Sequence, residues 1–381
     1  MAVFLSTLLG LWGAMHAYVF WRLSTIPWVS AHISTTALAL VAAGLWVSYV
    51  VARSLDAVGW QKWSWPLEYL AANWIGVLFL LFWCLLLADV VTLGGWLLPR
   101  YAPSIRGGAV VTAGVLCLVA WAQALRPPAL SEYEVRLPGL PAAHDGKVLV
   151  AVSDLHLGNL LGRRWLHGLV LRLQRLKPDL LVIVGDLVDG NVGRVEPLRD
   201  ALKQMQAPLG VWAVTGNHEY YAGVDRSIRL FEESGFRVLR DRSAQVAPGL
   251  VLAGVDDLTA RAQAGQRDHA TELALANRPP GGTILLSHSP WEAEQAAAGG
   301  AGLMLSGHTH NGQLWPFNYF VGLRYPLVSG RYEQNGMPVI VCRGTGTWGP
   351  RMRLWRRSEI LRIRLRSAEF ASSAKPSRSG L

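Results

Sequence analysis

Nine residues in the second half of the chain combine side-chain types suited to metal chemistry with a regular setting, each just beyond a short apolar, β-rich run. They are Asp154 and His156 in "SDLHLG", Asp186 and Asp189 in "GDLVDG", Asn217 and His218 in "GNHE", His288 in "SHSP", and His308 and His310 in "GHTHNGQ". Singly each has an ordinary explanation. Asp154 could cap a helix, Asn217 with Gly216 could form a turn, and a lone histidine is more often a hydrogen-bonded core or surface residue than a ligand. The ordered set is different. Gly185, Gly216 and Gly307 directly precede Asp186, Asn217 and His308, and glycine permits close backbone approach. Carboxylate, imidazole and amide oxygen without thiolate form the donor set that suits borderline divalent cations. The three cysteines show no CxxC spacing, so neither a disulfide framework nor a zinc knuckle is expected.

The elements that must position these residues can be read from the same stretch. "KVLVAVSD", "DLLVIVGD" and "GVWAVTGN" are apolar strands, followed by helical runs at 163–177, around 196–205 and at 224–235. Strands spaced in this way by helices imply a largely parallel sheet covered on both faces. Later runs, "RVLRD", "GLVLAGVDD", "TILLSHSP", "LMLSGHTH", "PVIVCRG" and "EILRIRLR", are closely spaced and suggest a second sheet. Open α/β sheets build their sites beyond the carboxyl ends of strands, where the polar residues fall.

With these motifs in order, residues 145–366 resemble the calcineurin-like metallophosphoesterase superfamily. The wording "GNHEYYAG", "GVDD", "SGHTHNGQL" and "RGTGTWGPRMRL" is similar to its branch of bacterial membrane-associated phosphoesterases with N-terminal transmembrane spans. The resemblance implies a four-layer αββα sandwich and a binuclear metal centre. By position it implies that Asp154, His156, Asp186 and His310 hold one metal, and Asp186, Asn217, His288 and His308 the other, with Asp186 bridging. Two cations about 3.5–4 Å apart can share a carboxylate and a water, lower that water's pKa and clamp an in-line displacement at phosphorus. His218 would face the substrate, stabilising charge or protonating the leaving oxygen. Asp189 would orient a ligand histidine or the loop backbone. Asp256 and Asp257 belong to the branch pattern and read as structural. Mn2+, Fe, Zn2+ and Mg2+ all suit such a site.

The first third of the chain has another solvent. Residues 1–130 hold nine charged side chains but 11 of the 17 Trp, within a chain of 381 residues that is 51% hydrophobic and 16% charged. That balance excludes a disordered chain. Apolar stretches at about 1–21, 33–52, 70–98 and 108–125 approach the ~20 residues of a transmembrane helix, giving an expected bundle of four. The first lacks a basic start and a small-x-small cleavage pattern, so it reads as an anchor and not as a signal peptide. Trp28, Trp60, Trp63, Trp65 and Trp96 lie near span ends, the usual interfacial placement. Asp89 is the one acid inside a span and should face other helices or water. An even span number puts both chain ends on one side. Arg53, Lys62, Arg126 and Arg136 there, against Arg22, Arg100 and Arg106, favour a cytoplasmic catalytic domain at the cell membrane. The domain organisation is then a transmembrane region at 1–126, a Pro-rich linker at 127–146 with a short strand at 133–137, a phosphoesterase domain at 147–366 and a disordered tail at 367–381.

The expected function is a membrane-anchored phosphohydrolase acting on a phosphoester or pyrophosphate bond, with a lipid or lipid-linked substrate and membrane lipid as partners. Two segments bear on this. The insert "LWPFNYFVGLRYPLVSGRY" mixes aromatics with Arg324 and Arg331, either as a rim over the site or as cover for the second sheet. The helix with Trp165, Leu169, Leu173 and Leu176 on one side either covers the sheet or lies on anionic lipid. Alternatives are a phosphate-ligand sensor without turnover and a nucleotide or nucleic-acid phosphodiesterase. The net charge of +10 comes without a clustered nucleic-acid-reading motif, so no nucleic-acid partner is expected. Four short-loop spans with one buried acid offer little for transport.

Overall fold

The computed structural model describes residues 2–266 and 269–367, with side chains from residue 9 onward. It divides into two compact units, one of residues 1–125 with 349–355, the other of residues 126–348 with the segment from 356 onward. The first contains α1 (Ala2–Ser24), α2 (Pro27–His32), α3 (Thr35–Ala57), α4 (Gln61–Thr92) and α5 (Ala102–Leu125). Among the described residues three stretches are long and apolar enough to cross a membrane, Thr35–Ala57, Gln61–Gly95 and Ala102–Leu125. The other expected span falls on α1, whose first side chains lie outside the described residues. Val19, Leu78, Leu81, Leu85 and Ala113 form a core among α1, α4 and α5. Asp89 faces this interior, 2.9 Å from Arg106 Nε and 2.5 Å from Arg22 Nε, and accepts the Tyr18 hydroxyl at 2.6 Å. Residues 349–355, from the "RGTGTWGPRMRL" motif, pack with the helices. Arg353 is fully buried and its amide donates to the Ala120 carbonyl. The Arg351 amide and Trp121 Nε1 both donate to Asn73 Oδ1.

Among the described residues the second unit holds twelve strands. They are β1 (Ala129–Leu137), β2 (Val148–Val152), β3 (Leu180–Val184), β4 (Val211–Val214), β5 (Arg237–Val238), β6 (Arg242–Ala247), β7 (Leu250–Gly254), β8 (Gly282–Leu286), β9 (Leu303–Ser306), β10 (Gly330–Gln334), β11 (Met337–Val341) and β12 (Glu359–Ser367). One six-stranded sheet runs β1-β12-β2-β3-β4-β5 and the other β10-β11-β9-β8-β7-β6. Strands β2 to β5 are mutually parallel, as are β7, β8, β9 and β11. Around them lie α6 (Arg163–Arg175), α7 (Arg199–Leu202), α8 (Asn217–Ala222), α9 (Val224–Glu233), α10 (Leu258–Gln263), α11 (Ala270–Ala276), α12 (Ala293–Ala298) and α13 (Phe317–Arg324).

The two-residue period of a strand sorts its side chains between cores. Val150, Val152, Leu181 and Ile183 pack with Leu166, Leu169, Val170 and Leu173 of α6 and with Leu230 and Phe231 of α9. Their neighbours Leu149, Ala151, Val182 and Val214 face Leu252, Ile284, Leu286 and Leu305 of the other sheet. On that sheet Ala253, Leu285 and Met304 turn outward to meet Ala274 of α11 and Ala296 of α12. The apolar side of α6 is thus sheet cover and not a lipid-facing surface. Strand β1 is longer than expected and pairs in parallel with β12 along its whole length, so nine residues of the expected linker are sheet, between the prolines that flank them. The helix expected around 196–205 shortens to one 3-10 turn, Glu196–Leu198, and α7. Ser367 ends β12, and the rest of the expected tail lies outside the described residues.

Candidate metal centre

Six strands deliver polar residues at their carboxyl ends: β2 leads to Asp154 and His156, β3 to Asp186 and Asp189, β4 to Asn217 and His218, β7 to Asp256 and Asp257, β8 to His288, and β9 to His308 and His310. Sharp turns follow at once. Asp154, His156, Asp186, His308 and His310 all have positive φ, between 47° and 71°, a costly conformation for residues other than glycine that clusters at functional sites. Gly185, at φ +77°, shows why glycine precedes Asp186: a Cβ there would lie 2.6 Å from the His288 ring.

The side chains converge in neighbouring groups. Asp154, His156 and His310 bring ligand-type atoms within 4.8 Å of one another, as do Asp186, His288 and His308. His156 Nε2 is 3.0 Å from His310 Nε2, and His310 Nε2 is 3.3 Å from Asp154 Oδ1. Asp186 Oδ2 stands between the groups, 3.1 Å from His288 Nε2 and 3.8 Å from His156 Nε2. His288 Nδ1 donates to the Val184 carbonyl at 2.7 Å, directing Nε2 toward the carboxylates. Asn217 Oδ1 and His156 Nδ1 are buried without hydrogen-bond partners. Buried polar atoms are normally satisfied, and unpaired atoms within a mixed N/O donor set fit divalent cations.

The buried groups shift one another strongly. Burial pushes Asp154 up to about 6, with His288 opposing. Burial would also raise Asp186, but His288 and His218 hold it well below the ordinary carboxylate range. His288 stands well above the usual imidazole value because Asp186 and Asp154 overcome its burial. Burial, then His218, lowers His156 to about 4, and burial, then His288, lowers His308 to about 3. Both rings are therefore neutral and keep a nitrogen lone pair for coordination.

His218 lies beside His156, their ring centroids 4.6 Å apart. Burial works against its protonation, yet the charge of Asp186 and the Asp189 hydrogen bond raise it to about 9, an imidazolium at neutral pH. Its Nδ1 is 3.0 Å from Asp189 Oδ1 and its amide donates to Asp186 Oδ1 at 2.9 Å. Asp189 thus touches His218, and ligand-type atoms of Asp189, His218 and His156 lie within 4.8 Å of one another. Asp256 and Asp257 support the frame: Asp256 pairs with Arg240 and accepts Thr215 Oγ1, while Asp257 caps α10 through the Ala260 amide and accepts Ser289 Oγ.

Two residues were missed. Glu219, fully buried, accepts the amides of Asp186, Val188 and Gly216 and so ties two site loops together. Its signal was the acid in "GNHE", three residues after Gly216, the spacing by which a side chain reaches back to the first turn of a helix. The second, Tyr325, was expected only as one of the insert aromatics of a possible rim over the site and not as a partner of a candidate ligand; its hydroxyl is 2.7 Å from His308 Nε2, occupying that nitrogen and leaving Nδ1 as the remaining donor.

The chain matches the calcineurin-like phosphoesterase family over residues 147–312. It is 36% identical over 273 residues to a transmembrane protein with metallophosphoesterase domain from Danio rerio, covering 68% of this chain and 62% of that protein. It is also 36% identical over 230 residues to an uncharacterized metallophosphoesterase of Aquifex aeolicus, covering 59% of this chain and 87% of that protein. The crystal structure of a dimetal phosphatase from Danio rerio superposes with a TM-score of 0.35 at 15% identity, covering 58% of this chain and 99% of that one.

Proposed function

The chain belongs to the calcineurin-like metallophosphoesterases, and from that premise we propose that it is a membrane-anchored, two-metal phosphohydrolase acting on a phosphoester or pyrophosphate bond of a lipid or lipid-linked molecule. The observation that carries the two-metal reading is the position of Asp186 Oδ2 between His288 Nε2 and His156 Nε2. Asp154, His156, Asp186 and His310 would hold one cation and Asp186, Asn217, His288 and His308 the second. Divalent cations held there would supply Lewis acidity to a water and to the phosphoryl oxygens.

The residues of the chain supply the rest. His218, protonated and fixed by Asp189, gives its proton to the leaving oxygen as that oxygen's bond to phosphorus breaks and the water oxygen bonds to phosphorus. The proton lost by the water restores His218 over the cycle. We read the two sheets and their outer helices as a four-layer αββα sandwich, supported by the alternation of strand side chains among three cores. We read α1 as a fourth span beside the three apolar helices. With both chain ends on one side, the basic residues near the spans favour the cytoplasmic face for the catalytic domain.

The test is hydrolysis by the full chain, in detergent and in liposomes, of a panel of phosphomonoesters, diesters, nucleotides and lipid pyrophosphates. Metal-dependent turnover of a lipid substrate is expected. Efficient cleavage of soluble nucleotide diesters with none of any lipid phosphate would overturn the lipid assignment. Tight binding of a phosphate ligand without turnover of any substrate would mark a sensor.

A further inference from the structure

Helix α13 leaves the metal centre and returns to it. It begins seven residues after His310 and ends one residue before Tyr325, whose hydroxyl touches His308 Nε2 at 2.7 Å. None of its residues is buried. The large side chains Trp315, Phe317, Tyr319, Phe320 and Leu323 stay exposed, from 44% at Trp315 to 86% at Leu323. At 3.6 residues per turn Tyr319, Leu323, Phe320 and Phe317 cover an arc of about 160°, and Phe317 stacks on Phe320. A soluble surface rarely exposes so many large apolar groups together. The expectation that these aromatics might cover the second sheet is not met.

The composition identifies what the face meets. Trp and Tyr gather where a protein meets the headgroup layer of a bilayer, an Arg stem can extend along such a layer, and the chain itself has three helices apolar enough to cross one. Arg324 closes α13 with its guanidinium over the Trp291 ring at 4.3 Å, a cation at the end of the apolar face. The lead into α13 is also joined to the proposed proton donor. The Gln313 side chain donates to the Trp348 carbonyl and accepts the Trp348 amide, and the exposed Trp348 ring stands 5.8 Å from that of His218.

We propose that Trp315 and α13 sit in the interfacial layer of a lipid bilayer and so bring the metal centre to phosphoesters at headgroup depth. The surface contact stands on the exposed face alone, while its consequence for substrate rests on the phosphohydrolase reading. The test uses the full chain in phosphatidylcholine and phosphatidylglycerol vesicles, with Cys84→Ala because Cys117 and Cys342 are buried. An environment-sensitive fluorophore is attached at Leu323→Cys, at Tyr319→Cys as a second position, and at the exposed Leu273→Cys on α11 as control. Nitroxide lipids should quench the labels at 323 and 319 at least twofold more than the control, and aqueous iodide should quench them less. Iodide quenching equal to the control would overturn the proposal. Shielding from both quenchers would also overturn it, by showing a protein cover, whether a second copy or another chain. Lipid quenching without hydrolysis of any phosphoester would retain the surface contact and sink the hydrolase reading; hydrolysis with water-exposed labels would do the reverse.

Discussion

Asp186 is where the two donor groups meet, and its removal should be the most damaging single change at the centre. Asp186→Asn is expected to lower metal content and to reduce hydrolysis at least 10²-fold; elemental content near wild type with normal turnover would remove its bridging role. His218 should separate from the ligands. His218→Gln is expected to keep the metals and slow turnover by about 10²–10⁴-fold, the usual contribution of a positioned acid or base. The loss should be larger for an alkoxide than for a nitrophenolate leaving group, which needs no proton. Equal losses would move His218 from proton donation to charge stabilisation, and metal loss would make it a ligand. Glu219→Ala leaves three buried amides without acceptors, at about 1–3 kcal/mol each, so a marked fall in denaturation midpoint is expected and an unchanged midpoint would contradict the role. The nine chemical residues were legible because strand ends and preceding glycines expose them. Glu219 was half legible, since it works through backbone amides, and Tyr325 was legible only as one aromatic of a possible rim, because only the return of α13 brings it to His308.

At the scale of elements, the strands of both sheets were visible as apolar runs, whereas β1 was concealed by prolines on either side. Its pairing with β12 is a contact between residues more than 200 apart, beyond any local pattern. The turn after β3 gives one test. Gly185→Ala pairs an unfavourable φ with a clash against His288, so both a loss of stability of about 1–3 kcal/mol and a lower metal content are expected; retention of both would show that the turn yields freely. Asp179, just before β3, gives a pH-dependent one. Burial would raise its pKa, but the Val148 amide at 2.9 Å and Lys147 at 2.9 Å hold it below the ordinary value. A depressed folded pKa means that the stabilisation is complete above the unfolded value of about 3.9 and is lost as pH falls through the folded one. Asp179→Asn should therefore cost about 1 kcal/mol at neutral pH, and denaturant melts at falling pH should show the gap to wild type closing. A constant gap would contradict the assignment.

For the whole molecule, the composition divided the chain between two solvents, and the structure adds what fills the helical unit. Arg22 and Arg106, which weigh on one side of the topology count, both face Asp89. Asp89→Asn should leave two arginines without their carboxylate and lower the melting temperature in detergent, consistent with about 3–5 kcal/mol for a broken buried pair; no change would show that these charges reach water. The segment 349–355, recognisable only as a motif, proves to pack with the helices, a placement that depends on tertiary contacts. The central claim is that the strand-end residues form a two-metal centre that hydrolyses phosphoesters. Its most direct test is a metal titration of the chelator-stripped full chain, following bound divalent ion and hydrolysis of an aryl phosphodiester together. The account predicts two ions per chain, with activity rising as they bind and absent in Asp186→Asn; full hydrolysis by the stripped protein, or two bound ions with no turnover of any phosphoester, would contradict it.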